Sequence, residues 1–264
     1  MHPLIDTHIH LDYSAFKDDL DSVIDRALEA GVYKIISIGS GSGGIASAEN
    51  AVQLAEKYPT VYASVGIHPC DLKKEEKILA SHISIIEDLA KHPKVVAIGE
   101  SGLDFYWDKE GPYTAQYDGF LFQIELCKKI KKPIIVHSRN SAKACLDFLL
   151  KNFSTDLKGV FHCYGEGDVL ALQIIKELDF LISFTGTITF KSNNKQREIL
   201  KNIPLTHLMV ETDGPFMAPE PYRGTGRAES AHVVEMAKCI AMVKGITEDE
   251  ARRVTTENSE RLFF

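Results

Sequence analysis

The chain has 264 residues, of which 44% are hydrophobic and 25% charged, and its formal net charge is −7. That length is large for one β-sandwich and close to the roughly 250 residues of a (β/α)8 barrel. The composition excludes a disordered chain, and the negative charge argues against a nonspecific nucleic-acid binder, which is usually basic.

Eight short apolar runs, rich in Ile and Val, read as strands: residues 4–6, 34–39, 62–66, 95–99, 133–136, 159–161, 180–183 and 208–210. Between them apolar residues fall at helical spacing. Leu20, Val23, Ile24, Ala27 and Leu28 form the first such face, with Gly31 as its stop. The pattern repeats over residues 78–89, 120–130, 144–150, 170–178 and 233–242. A last helix is expected over 247–264, opened by a capping box in which Thr247 is followed three residues later by Glu250. Strand and helix in alternation require parallel neighbours joined by crossovers. Eight such units close naturally into a barrel, so the expected fold is α/β, a (β/α)8 or TIM barrel, as one domain over residues 1–264. A doubly wound open sheet usually has fewer strands and a glycine-rich first loop, whereas here histidines follow the first strand.

No apolar run approaches the roughly 20 residues needed to cross a bilayer, and no secretory signal pattern opens the chain. The five cysteines (Cys70, Cys127, Cys145, Cys163 and Cys239) are odd in number and lack CxxC spacing. A reducing, cytoplasmic setting and buried thiols are therefore expected. A monomer or weak oligomer is expected as well.

The chemistry concentrates at strand ends. His8 and His10 stand two apart, and residues two apart on a strand share a face. In a barrel that face is the interior, and the carboxyl end of the strand is the catalytic mouth. Alone, the pair reads either as metal ligands or as polar loop residues. The other strand ends tip the balance: strand three leads to His68, strand four to Glu100, strand five to His137 and Arg139, strand six to His162, and strand eight to Glu211 and Asp213. Five of the ten histidines thus gather at predicted carboxyl ends. Unpartnered charge there would be costly, and a shared cation offsets the cost. Four histidines and two carboxylates (His8, His10, Glu100, His137, His162 and Asp213) exceed the needs of one ion, so two divalent ions are expected, with Glu100 able to bridge them. Such ions would supply a nucleophilic water near neutral pH. Asp213 is the best general base, and Glu211 is placed to orient a histidine.

Several of these segments together resemble the TatD family of metal-dependent deoxyribonucleases, within the amidohydrolase-like barrels. They are Ile5-Asp6-Thr7-His8-Ile9-His10, Val65-Gly66-Ile67-His68-Pro69, Gly99-Glu100-Ser101-Gly102-Leu103-Asp104 and Pro133-Ile134-Ile135-Val136-His137-Ser138. Ser183-Phe184-Thr185-Gly186, Glu211-Thr212-Asp213-Gly214-Pro215 and Pro219-Glu220-Pro221-Tyr222-Arg223-Gly224 continue the match, which ends with Gly245-Ile246-Thr247 and Thr256-Glu257-Asn258. The resemblance implies a first ion held by His8, His10, Glu100 and Asp213, and a second by Glu100, His137 and His162, with Glu100 and Asp213 catalytic. It also places His68 near the reacting phosphate or behind a ligand. The implied activity is a DNase, a 3′–5′ exonuclease acting on single-stranded DNA ends. The alternative is an ester or amide hydrolase such as a D-aminoacyl-tRNA deacylase. A carboxylated-lysine relative would need Lys where Glu100 stands.

The chain departs from the family at Cys163-Tyr164-Gly165-Glu166, where Glu166 adds negative charge near the mouth, and at Gly226-Arg227-Ala228-Glu229-Ser230. Imidazole-rich ligation suits zinc or manganese, while the family is usually described with magnesium. Arg139 and Arg223 are candidate phosphate clamps. Lys191, Lys195 and Arg197 read equally as a phosphate-steering group or a solvated helix face. Tyr106 and Trp107 read as a base-stacking pair or as packed loop aromatics. His82, His92, His207 and His232 read as surface or structural, and alternation turns Cys163 away from the face of His162.

Overall fold

The computed structural model describes residues 1–41, 44–72, 80–106, 114–224 and 226–264. Eight parallel strands follow chain order around one sheet. They are β1 (Leu4–Ile9), β2 (Val32–Gly39), β3 (Val61–Val65), β4 (Val95–Asp104), β5 (Ile134–Arg139), β6 (Gly159–Phe161), β7 (Leu181–Phe184) and β8 (Leu208–Val210). The helices on the outside are α1 (Leu20–Glu29), α2 (Ile45–Lys57), α3 (Ala80–Leu89), α4 (Thr114–Ile130), α5 (Ala142–Asn152), α6 (Asp168–Leu178), α7 (Asn194–Asn202), α8 (Val233–Lys244) and α9 (Glu248–Phe263). This is the expected barrel. Among the described residues no helix is long and apolar enough to cross a membrane.

Two helices, α2 and α7, carry no clear apolar stripe in the sequence. The buried face of α2 is made of small residues, Ser47, Ala48, Ala51 and Ala55 with Val52, which bury little apolar area each. That of α7 is Gln196, Ile199 and Leu200 in an otherwise polar segment. Three strands also run well past their apolar runs. β1 continues through His8 to Ile9, β4 through Glu100 to Asp104, and β5 through His137 to Arg139. In each, polar side chains toward the mouth end the hydrophobic run before the strand ends.

Strand alternation sorts the core into two clusters. Ile35, Ile134, Val136, Phe161, Ile182, Leu208 and Val210 join the large cluster under the helices. Ile36, Ile38, Ile135, Val160, Leu181 and Met209 form a separate cluster with Phe263 of α9. The second set is the barrel interior, since its members alternate with the first along each strand. Phe263 caps its lower end. The same inward register, carried two residues further, leads from Ile135 to His137, from Val160 to His162, and from Met209 to Glu211. The interior thus changes from apolar to ionisable as it approaches the mouth.

The ring closes between β1 and the segment after β8. The His10 amide donates to the Gly214 carbonyl and the Asp213 amide to the His8 carbonyl, both at 2.8 Å. Ile9 and Gly214 form a parallel bridge. Closure therefore pins Asp213 beside the two histidines of β1.

Candidate metal centre

The six expected residues converge. At the β1–β8 seam, His8 Nε2 lies 3.4 Å from Glu100 Oε2 and 3.7 Å from Asp213 Oδ1. His10 Nε2 lies 3.7 and 3.5 Å from the same two oxygens. Further round, Glu100 Oε1 is 2.6 Å from His137 Nδ1, 2.6 Å from His162 Nε2 and 3.4 Å from His68 Nε2. Glu100 thus offers one carboxylate oxygen to each group. His8, His10, Glu100, His162 and Asp213 are buried, and His68 and His137 are partly buried.

The seam separations suit a common ion better than direct contact. Donors each about 2.1 Å from one ion stand about 3.0–3.4 Å apart for octahedral or tetrahedral angles. The four seam distances lie at or just above that range. His8 Nε2, the atom that faces the Glu100 and Asp213 oxygens, is buried without a hydrogen-bond partner among the described residues. An orphaned buried polar atom costs about 1–3 kcal/mol, and a cation on the lone pair removes that cost. Four imidazoles with two carboxylates are also a donor set for borderline divalent ions. The residues therefore fit a metal group. Two of the triads able to hold an ion are His8–His10–Asp213 and His68–Glu100–His137.

The charges respond to one another. Burial opposes ionisation of Glu100, but His162, His68 and His137 outweigh it and hold its carboxyl well below the usual range. Burial likewise opposes the Asp213 charge, and His10 and His8 bring its pKa below the ordinary value. Burial and the neighbouring His162 push His8 down, whereas Glu100 overcomes burial to raise His162 well above the usual value.

Supporting contacts fix the rings. His137 Nε2 is 3.0 Å from Asp104 Oδ2. Asp104 also accepts the Tyr106 amide at 2.9 Å, while its own amide donates to Gln116. Glu211 Oε1 stands 3.5 Å from His162 Nδ1. It is anchored by the Cys163 amide at 2.6 Å and the Ser183 hydroxyl at 2.7 Å. The expectation that Glu211 lies behind a histidine thus identifies His162. His68 Nδ1 accepts the Cys70 amide at 2.9 Å, so the neutral ring carries its proton on Nε2, the atom that faces Glu100. His68 is thereby held as a hydrogen-bond donor toward the mouth.

Two carboxylates were not legible as part of the site. Asp104 lies four residues past Glu100, beyond the apolar part of β4. Asp6 accepts from the Thr212 amide and hydroxyl and from the Ser230 hydroxyl, at 3.0, 2.7 and 2.7 Å, and so ties β1 to the segments after β8. Burial pushes its carboxyl up to about 6 against those hydrogen bonds. Period-two spacing, carried on from Glu100 and back from His8, would have reached both.

The departing loops are accounted for by structure. The Glu166 carboxylate accepts the Ser141 and Ala142 amides at 3.0–3.1 Å, at the first turn of α5, so its charge is engaged there. Arg227 pairs with Asp19 at 2.6 Å and with Glu229 at 3.1 Å, which fixes that loop against the start of α1. At the rim, the Arg139 guanidinium lies 3.9 Å over the Tyr106 ring and that of Arg223 3.9 Å over Phe190. Trp107 lies outside the described residues. Arg197 is bonded to the carbonyls of Ile188 and Phe190 at 2.8 and 2.7 Å, which favours its reading as a structural group. His92 pairs with Glu56, His207 with Asp179, and His232 stacks on Tyr222, all away from the donors. Cys163 Sγ faces Thr185 and Met217.

The family model described as "TatD related DNase" matches residues 5–264. YabD of Bacillus subtilis, named as an uncharacterized metal-dependent hydrolase, is 38% identical over 261 residues, which is 98% of each chain. YcfH of Escherichia coli K12, named in the same terms, is 33% identical over 263 residues, covering 98% of this chain and 95% of its own. The crystal structure of YjjV, a TatD homolog from Escherichia coli K12, has a TM-score of 0.87 at 28% identity, covering 98% of this chain and 97% of that one.

Proposed function

Because this chain belongs to the TatD family of metal-dependent hydrolases, we propose that it cleaves phosphodiester bonds of DNA, releasing nucleotides from single-stranded 3′ ends. The proposal includes the metal assignment: one divalent ion at His8, His10, Glu100 and Asp213, a second at Glu100, His137 and His162, with magnesium, manganese or zinc as candidates. It also takes residues 1–264 as one catalytic domain.

The observation that carries the reading is the division of Glu100, one carboxylate oxygen to the seam donors and the other to His137 and His162. Bound ions would supply Lewis acidity toward a phosphate and lower the pKa of the attacking water. The chain's residues then have separable tasks. Asp213, kept below the ordinary carboxyl range, is ionised at neutral pH and takes the proton as general base. His68, with its Nε2 proton turned to the mouth, donates to a phosphate oxygen. Asp104 and Glu211 hold the rings of His137 and His162. Arg139 and Arg223, at the rim, are placed for flanking phosphates. A barrel mouth is a pit rather than a groove, which favours a frayed strand end over the middle of a duplex.

The test is digestion of 3′- and 5′-labelled single strands, blunt duplex and closed circular DNA with each metal. Stepwise shortening of single strands from the 3′ end is expected. Rapid cutting of closed circles overturns the end-directed reading, and turnover of an ester or an aminoacyl-tRNA without any DNA cleavage overturns the nuclease reading.

A further inference from the structure

Among the described residues, three exposed aromatic rings stand in the loops that follow β4 and β8: Tyr106 after β4, and Phe216 and Tyr222 after β8, at 44%, 44% and 40% exposure. Two have a face covered. The Arg139 guanidinium lies 3.9 Å over Tyr106, and His232 stacks on Tyr222 at 3.9 Å with an interplanar angle of 11°. Phe216 differs. Its ring contacts are edge-type, to Tyr13 at 5.3 Å and 86° and to His10 at 6.3 Å and 72°, with no stacked partner among the described residues. It is also the ring tied to the donors. The Phe216 amide closes a turn onto the Asp213 carbonyl at 3.0 Å, and Tyr13 packs on His10 at 5.3 Å. Met217 extends the same apolar lip, 38% exposed, with its sulfur 3.4 Å from Thr185 Oγ1 and 3.5 Å from Cys163 Sγ.

We propose that Phe216 is the platform on which the nucleobase beside the cleaved bond stacks, so that it selects base-bearing strand ends. The proposal rests on the nuclease reading above. A single exposed apolar side chain on a protein surface needs no explanation. One set nearly perpendicular to two neighbouring rings, 44% exposed and unstacked among the described residues beside the candidate metal ligands, has the form of a stacking site. Such stacking accepts every base, because each has a π face, and so adds affinity without sequence preference. The neighbouring Tyr13 ring stands nearly perpendicular to it rather than stacked on it.

The experiment compares two single strands, one ending in thymidine and one in a tetrahydrofuran abasic residue, with the metal that supports the fastest cleavage. In Phe216→Ala the ratio of kcat/KM for the base-bearing end over the abasic end should fall by about tenfold, through KM, within the range that one base–ring stack supplies. Phe216→Tyr should keep the ratio. Phe216→Trp gives a readout that needs no turnover: in metal-free protein, its added emission should be quenched by the thymidine strand more than by the abasic strand, with wild type as the background. An unchanged ratio in Phe216→Ala, or equal quenching by both strands, overturns the platform while leaving the nuclease reading intact. Failure of the wild-type protein to cut either strand overturns the nuclease reading and the platform together.

Discussion

The seam between β1 and β8 and the arc from β4 to β6 face one mouth but hold their donors differently. At the seam, His8, His10 and Asp213 are placed by backbone. Amide–carbonyl bonds between His8 and Asp213 and between His10 and Gly214 lock the strands, while the two imidazoles stand 3.4–3.7 Å from the Asp213 and Glu100 oxygens. Along the arc, His137 and His162 are drawn onto Glu100 at 2.6 Å and are held from behind by Asp104 and Glu211. The seam is spaced for an ion as it stands. The arc must part by several tenths of an ångström, giving up hydrogen bonds to do so. Preorganisation of one half and internal neutralisation of the other would make the two proposed ion positions unequal, although both would draw on Glu100.

The largest effect should come from removing what the halves share. Glu100→Ala takes an oxygen from both positions and leaves the imidazoles facing one another. Turnover should drop by at least about a thousandfold, since several kcal/mol of charge stabilisation are at stake. Elemental analysis of the purified variant should find less than one equivalent of metal. Two retained equivalents would refute the bridge.

Single-half variants should separate the positions. In wild type, a calorimetric metal titration is expected to show a tighter first event at the seam and a weaker second one on the arc. His10→Ala should remove the tight event, and His162→Ala the weak one. Asp213→Asn should lower turnover by about 10²–10⁴-fold, the range for a lost general base, while the weak event persists. Two identical events in wild type, or loss of the tight event in His162→Ala, would erase the distinction between the halves.

How much of this was legible follows from the same contrast. The barrel could be read, and six candidate ligands located, because apolar runs mark the strands and alternation carries the inward register of β5 and β6 to their ends. Ile135 and Val160 face inward, and two residues later His137 and His162 must do the same. The seam was legible as a pair of histidines two apart. What could not be read is where polar residues continue a strand that hydrophobicity says has ended. Asp104 lies on such a stretch, where β4 runs five residues past its apolar segment, and only period-two spacing carried on from Glu100 reaches it. The face of α2 is hard to read because it is built of alanines and a serine rather than the large apolar residues that mark the other helices. That Phe216 is unstacked among the described residues depends on which rings cover which, and spacing along the chain holds no information about that. In the sequence Glu166 reads as a charge near the mouth, yet its bonds to α5 are set by a helix start 24 residues away.

The smallest effect should come from the carboxylate behind the arc. Asp104 Oδ2 lies 3.0 Å from His137 Nε2 and keeps the proton on that nitrogen, which leaves Nδ1 as the atom that turns to Glu100. Removing it frees the ring to rotate and to exchange tautomers, while the backbone of β4 stays paired with β5 through Gly102 and His137. Asp104→Ala should therefore weaken the second metal event by about 10–100-fold and leave the first within experimental error of wild type. Turnover should recover as metal is raised, because the donors remain, whereas turnover in Asp213→Asn should not. Asp104→Asn, which still offers an acceptor to Nε2, should restore most of the affinity. That rescue distinguishes a ring-orienting role from a structural one: a carboxylate needed only to hold β4 in place would shift thermal stability in both variants without changing one metal event selectively. Equal weakening of both events in Asp104→Ala would show that the halves are coupled through Glu100 too tightly to be assigned separate affinities.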